Sequence, residues 1–248
     1  MRIIGRLDVK NNHVIKGIHL EGLRKVGDPQ ELAVEYYKQG IEEIVFMDAV
    51  ASLYNRNNLF HIIQKACEKV FVPIALGGGL RSLDDVSKAL NAGADKVVIN
   101  TALVNRIDLA KEIAQKYGSQ CLVGSIEAKR ENDSWRVYVD NGREPTKHNV
   151  VDWAIKLKEA GVGEILLTSI DQEGTSKGFD IELIKQINES IRCPIIASGG
   201  YGNKKHLADL LKIVEPSAIA IAGSLHYKKD TVSSIKQEIN SLFIQEKK

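Results

Sequence analysis

Cysteine, proline and tryptophan are scarce: three, five and two residues in a chain of 248. Cys67, Cys121 and Cys193 lie far apart, and no CxxC, HxH or HExxH spacing accompanies them. An odd set of isolated thiols builds no disulfide framework, and the missing ligand spacings give no reason to expect a metal; no cofactor is expected either. Cys121 and Cys193 fall in apolar, strand-like runs, so they read as buried free thiols of a reducing cytosol. An excess of either charge is also missing, because 34 Lys and Arg face 32 Asp and Glu. The two signs are interspersed and only 6% of residues are aromatic, which provides neither a basic stripe nor a stacking platform for nucleic acid. No apolar run approaches the ~20 residues that span a bilayer. The first residues, MRIIGRLDVK, have no signal-peptide layout. A cytoplasmic protein, with neither membrane nor nucleic acid among its partners, is the expectation.

What the chain does have is 44% apolar residues and 20 glycines, enough for a single domain over 1–248 with a large core. Short apolar runs alternate with amphipathic stretches eight times. Strands are predicted at 3–9, 43–48, 72–76, 96–100, 121–127, 164–169, 194–197 and 218–222. Their Ile, Val, Leu and Ala content fits parallel strands buried on both faces. Asp28-Pro29 reads as a cap plus a proline in the first helical position, opening a helix through 37. Ser82 caps another, which Gly93 ends. Further helices are predicted at 59–70, 109–117, 150–160, 181–191, 205–213 and 232–243. Eight strand–helix units in this length predict an α/β fold of the (β/α)₈ TIM-barrel type. An eight-stranded doubly wound sheet is the competing architecture.

An internal repeat favours the barrel. Pro73-Ile-Ala-Leu-Gly-Gly-Gly79 is echoed by Pro194-Ile-Ile-Ala-Ser-Gly-Gly200, which puts Gly78 and Gly199 121 positions apart. Arg6-Leu-Asp-Val-Lys10 has a counterpart 119 positions on in Ser125-Ile-Glu-Ala-Lys129, and 44–48 is matched by 165–169. Two repeated half-barrels, about 1–120 and 121–248, account for these spacings. Hairpin-like insertions follow the first and fifth strands, at 13–20 and at 135–139 with the turn Asp140-Asn-Gly142.

In such a barrel the chemistry belongs at the carboxyl ends of the strands. Glycines directly after a strand let backbone N–H groups approach an anion. Gly77-Gly-Gly79 with Asn100-Thr101 makes one candidate phosphate cradle, and Ser198-Gly-Gly200 with Gly223-Ser224 a second across the mouth. A substrate phosphorylated at both ends would fill the two; tight turns without a ligand are the plainer alternative. Asp8 and Glu127 end the symmetry-related first and fifth strands. They supply a catalytic acid–base pair on opposite walls, or else each merely pairs with a neighbouring cation.

Leu7-Asp-Val-Lys10, Gly27-Asp-Pro29, Gly77-Gly-Gly79, Gly93-Ala-Asp-Lys96, Ile99-Asn-Thr101, Gly118-Ser-Gln120, Glu164-Ile-Leu-Leu-Thr-Ser-Ile-Asp171 and Ala197-Ser-Gly-Gly200 resemble the cyclase-subunit family of imidazole glycerol phosphate synthase, of histidine biosynthesis. The resemblance covers nearly the whole chain. It implies Asp8 as a catalytic acid or base, and Gly79, Asn100, Thr101, Gly174, Ser198, Gly200 and Ser224 as phosphate ligands. It also implies a glutaminase subunit docked on the bottom face, with Asp95 at the interface, and an ammonia gate of Arg2, Glu43, Lys96 and Glu164. A structural salt-bridge plug is the alternative for those four. In the implied reaction, ammonia crosses the barrel and attacks the formimino carbon of a phosphoribulosyl-formimino-aminoimidazole-carboxamide ribotide. The products are imidazole glycerol phosphate and the aminoimidazole carboxamide ribotide.

The chain departs from the family pattern at four positions. Glu127 stands at the second catalytic position and Glu173, expected among the substrate-binding residues, in the loop after the sixth strand, where the family carries Asp. His19 replaces Asn or Gln, and Arg6 replaces a small residue. Arg6 shares the inward parity of Asp8, so an upward ion pair with Glu127, alone or shared with Asp8, is expected, holding Glu127 as a carboxylate; a downward turn toward Glu43 or Glu164 is the alternative. These departures resemble paralogues associated with surface-polysaccharide genes that relay glutamine-derived ammonia to a sugar amidotransferase. A non-catalytic scaffold that activates the glutaminase is a third reading.

Overall fold

Side-chain alternation along each strand separates two apolar layers. In the first strand Ile3, Leu7 and Val9 join the shell packed against the helices, whereas Ile4 joins a second cluster inside the sheet. That inner cluster takes residues from all eight staves: Ile4, Val45, Ala75, Val98, Val123, Leu166, Ile196, Ala218 and Ala220. A strand run apolar on both faces is what a closed, helix-wrapped parallel sheet requires. The computed structural model describes residues 1–51 and 59–245.

The staves are β1 (Arg2–Lys10), β4 (Glu43–Asp48), β5 (Ile74–Gly77), β6 (Lys96–Ile99), β7 (Leu122–Glu131), β10 (Glu164–Ser169), β11 (Ile195–Ser198) and β12 (Ala218–Ile221). Neighbours pair in parallel around the ring. The pairing of β7 with β10, from Val123↔Glu164 to Ala128↔Ser169, leaves no open edge among the staves. That closure makes the fold a (β/α)₈ barrel and removes the doubly wound sheet.

Helices α1 (Pro29–Lys38), α2 (Phe60–Cys67), α3 (Leu83–Asn91), α4 (Thr101–Asn105), α5 (Asp108–Tyr117), α6 (Val150–Glu159), α7 (Ile181–Ser190), α8 (Lys204–Leu211), α9 (Gly223–His226) and α10 (Val232–Gln245) follow the staves. The expected caps are present. Asp28 accepts from the N–H groups of Gln30 and Glu31, and Ser82 forms a reciprocal capping box with Asp85. None of these helices is long and apolar enough to cross a membrane among the described residues.

Two antiparallel insertions rise from the mouth. β2 (His13–Ile18) and β3 (Glu21–Gly27) extend β1, while β8 (Ser134–Val139) and β9 (Glu144–Asn149) extend β7. The expected hairpins therefore each include a return strand. Leu20, Tyr138 and Ile170 form a small apolar cluster that ties both insertions to the loop after β10. The His19 N–H donates to the Glu173 carbonyl at 2.8 Å, and His19 Nδ1 lies 2.9 Å from the Ile170 carbonyl. Gly174, at φ +74°, lets this loop sit against the hairpin, because a Cβ there would strike the Gly17 carbonyl.

Candidate active site

From floor to mouth the lumen changes character. At the floor Arg2 bonds Glu43 at 2.7 Å and also pairs with Glu164, while Lys96 reaches Glu43 at 3.0 Å and Glu164 at 2.7 Å. Each carboxylate thus meets both cations, which offsets the cost of taking four charges out of water. Burial still raises the Glu43 carboxyl above its usual range, against the pull of Lys96 and Arg2. Asp95, just before β6, is exposed and accepts the Ile74 N–H at 2.8 Å. Above the ring lies the inner apolar cluster, and above that the polar rim.

Asp8 and Glu127 both reach the rim, buried and on opposite walls as their strand positions require. Their surroundings differ. Arg6 Nε contacts Asp8 at 3.0 Å, and its Nη1 donates to the hydroxyls of Thr168 (2.9 Å) and Ser198 (3.2 Å). Arg6 thus turns upward as expected, but its ion pair is with Asp8 and not with Glu127. The downward alternative fails as well, because Arg2 and Lys96 already hold Glu43 and Glu164. Glu127 instead accepts from the Gly142 N–H at 2.8 Å and from Asn100 Nδ2 at 3.1 Å. Burial pushes its carboxyl up to about 7, outweighing the Arg6 charge and the Gly142 hydrogen bond, with Asp8 and Asp140 adding to the rise. Glu127 is thus not held as a carboxylate; it titrates near neutrality.

The two glycine cradles open into separate clefts flanking the rim. One, of about 340 Å³, is lined by Gly78, Gly79, Asn100, Thr101, Glu127 and Asp140. Thr101 Oγ1 accepts the Asp140 N–H at 3.2 Å. The other, of about 600 Å³, brings together Glu173, Gly174, Ser198, Gly200 and Gly223, with Lys16, Arg24 and Lys229 supplying positive charge. Ser224 lies in α9 next to Gly223 of this cleft, buried, its hydroxyl donating to the Tyr201 carbonyl at 3.0 Å. The Ser198 hydroxyl oxygen accepts from Arg6, so its own O–H remains available, with the backbone N–H groups, to donate to an anion in this cradle. Glu173 is ion-paired with Lys16, both buried. Burial lowers the Lys16 ammonium to about 8, an effect that Asp8 opposes and Arg6 reinforces.

Family membership follows from comparison with known proteins. A family model described as "Histidine biosynthesis protein" matches residues 2–231. The chain belongs to this family. It is 57% identical to the imidazole glycerol phosphate synthase subunit HisF of Legionella pneumophila over 203 residues, spanning 82% of this chain and 96% of that one. The subunit of the same name from Hydrogenobaculum sp. (strain Y04AAS1) is 45% identical, with 95% and 94% covered. That from Methanopyrus kandleri is 43% identical, with 96% and 94% covered.

Three groups at the site escaped sequence reasoning. Lys16 is one; its β2–β3 pairing shifts register on both sides of it, which erases the alternation that marks an inward residue. Gly142 was legible as a turn but not as the donor to Glu127. His226 is buried in α9, stacked on Tyr36 with its Nδ1 2.6 Å from the tyrosine hydroxyl. Burial pushes its imidazole down to about 4, against the field of Asp8.

Proposed function

We propose that this barrel is the cyclase subunit of an imidazole glycerol phosphate synthase, a lyase and ring-closing enzyme fed with ammonia by a glutaminase subunit. One observation carries the reading: a closed four-charge ring and a carboxylate pair occupy opposite ends of the same lumen, with a glycine cradle on either side of the pair. In this reading Gly79, Asn100 and Thr101 receive one phosphate of the formimino ribotide, and Gly174, Ser198, Gly200, Gly223 and Ser224 the other. Two-ended anchoring stretches the substrate across the mouth and fixes the formimino carbon between Asp8 and Glu127. Ammonia enters past Arg2, Glu43, Lys96 and Glu164, crosses the apolar layer as the neutral base and attacks that carbon. Asp8, ion-paired, accepts protons; Glu127, with its raised proton affinity, delivers one to the departing nitrogen. The shared 1–120 and 121–248 pattern supports two half-barrels as the origin of both the paired carboxylates and the paired cradles.

The glutaminase would dock at the floor. Phe71 and Ile213, 74% and 57% exposed on the loops entering β5 and β12, supply apolar surface there, and Asp95 lies on the same face. The setting is the cytoplasm. Purified barrel given the formimino ribotide and excess ammonium salt tests the proposal through loss of substrate absorbance. A second reading, ammonia relay to a sugar amidotransferase, gains support from the guanidinium of Arg6 on Asp8, which occupies one catalytic carboxylate. It expects glutaminase stimulation without ribotide turnover.

A further inference from the structure

The two rim carboxylates occupy equivalent strand positions, yet among the described residues only Asp8 has a cation paired with it. The layer beneath the rim is drawn from alternate strands and consists of Arg6, Gly77, Ser125 and Ser198. Three of its four members are small, and the guanidinium of the fourth, Arg6, spans from β1 to β10 and β11. It is only 3% exposed and ends in an ion pair plus two hydroxyl hydrogen bonds, so its position is fixed on three strands. Building on the acid–base reading above, we propose that Arg6 is a positioning residue that breaks the symmetry of the site: it commits its guanidinium to Asp8 and the hydroxyls of β10 and β11, and leaves Glu127, across the mouth, held by neutral donors.

The surroundings of Glu127 agree. Its direct partners are neutral donors, the Gly142 N–H and the Asn100 amide. Among the described residues the charged groups around the pair are Arg6 from β1, Lys16 from β2, Asp140 from the β8–β9 turn, Asp48 and Arg81 lining the Glu127 cleft, and Glu173 lining a cavity with Asp8, with His226 of α9 on the Asp8 side. Arg6 is the cation whose field opposes the rise in Glu127's proton affinity. Burial alone does not distinguish the two carboxylates, since Asp8 and Glu127 are 8% and 5% exposed.

The test is a carboxyl ¹³C titration of the full chain labelled at glutamate, with Glu127 assigned from the missing resonance of Glu127→Gln. Arg6→Met keeps the bulk and removes the charge; the Glu127 midpoint then rises by about one pH unit. Arg6→Lys returns it toward the wild-type value. Asp8→Asn frees the guanidinium and removes a neighbouring anion, moving the midpoint down, which serves if Arg6→Met does not fold. A midpoint unmoved by Arg6→Met, or not restored by Arg6→Lys, overturns the proposal, as does one unmoved or raised in Asp8→Asn. The alkaline limb of ammonium-driven turnover moves with the titration. If the titration shifts as stated but wild-type protein leaves the ribotide untouched, the substrate assignment fails and the role of Arg6 stands. Turnover with an unmoved titration keeps the substrate assignment and removes the role of Arg6.

Discussion

Glu127 and His226 carry opposite protonation costs, and each makes stability depend on pH in its own window. The Glu127 carboxyl, at about 7, holds its proton more tightly in the folded chain than in the unfolded one. Stability therefore falls as pH rises from the ordinary carboxylate range through about 7, by on the order of 3 kcal/mol. Glu127→Gln should match wild type in urea unfolding near pH 5 and exceed it near pH 8; equal midpoints at both would remove the buried, proton-holding Glu127. His226, pushed down to about 4, is neutral where an unfolded histidine binds a proton. Acidification from about 6.5 toward 4 therefore costs stability, and His226→Gln should flatten that limb while leaving neutral pH little changed. Asp8 and Glu127 were legible in the sequence because strand parity and the repeat mark both. The choice of Arg6 between Asp8 and Glu127 was not, because parity names the face a residue occupies but not which carboxylate a four-torsion side chain meets.

At the scale of elements, the eight staves were readable from their apolar runs, within a few residues at each end. The return strands were harder: Glu21–Gly27 is largely exposed and mixed in polarity, and Glu144–Asn149 is polar throughout. The helices Thr101–Asn105 and Gly223–His226 are too short to carry a helical period. Where insertion meets loop, Gly174 controls the clasp over the mouth. Gly174→Ala places a Cβ against the Gly17 carbonyl at a positive φ, which costs roughly 1–3 kcal/mol. The His19 N–H, bonded to the Glu173 carbonyl, should then exchange with solvent about 10–100-fold faster, and the KM for a two-phosphate substrate should rise. Unchanged exchange at His19 would show that the hairpin does not depend on this glycine.

The whole molecule links two ends of one lumen, and its floor can be tested separately from its mouth. Lys96→Ala leaves Glu43 and Glu164 with Arg2 as their one remaining partner in the ring. Product formed per glutamine hydrolysed should fall several-fold in the glutaminase complex, while turnover with free ammonium, which reaches the rim from the open mouth, persists. Equal coupling in mutant and wild type would take the ring out of the ammonia route. The most direct test of the central claim is the absorbance change when purified barrel meets the formimino ribotide in excess ammonium salt. Wild type should turn the ribotide over steadily, and Asp8→Asn should abolish that turnover without loss of fold. No turnover by a folded wild-type barrel that still stimulates its glutaminase, or undiminished turnover in Asp8→Asn, would contradict it.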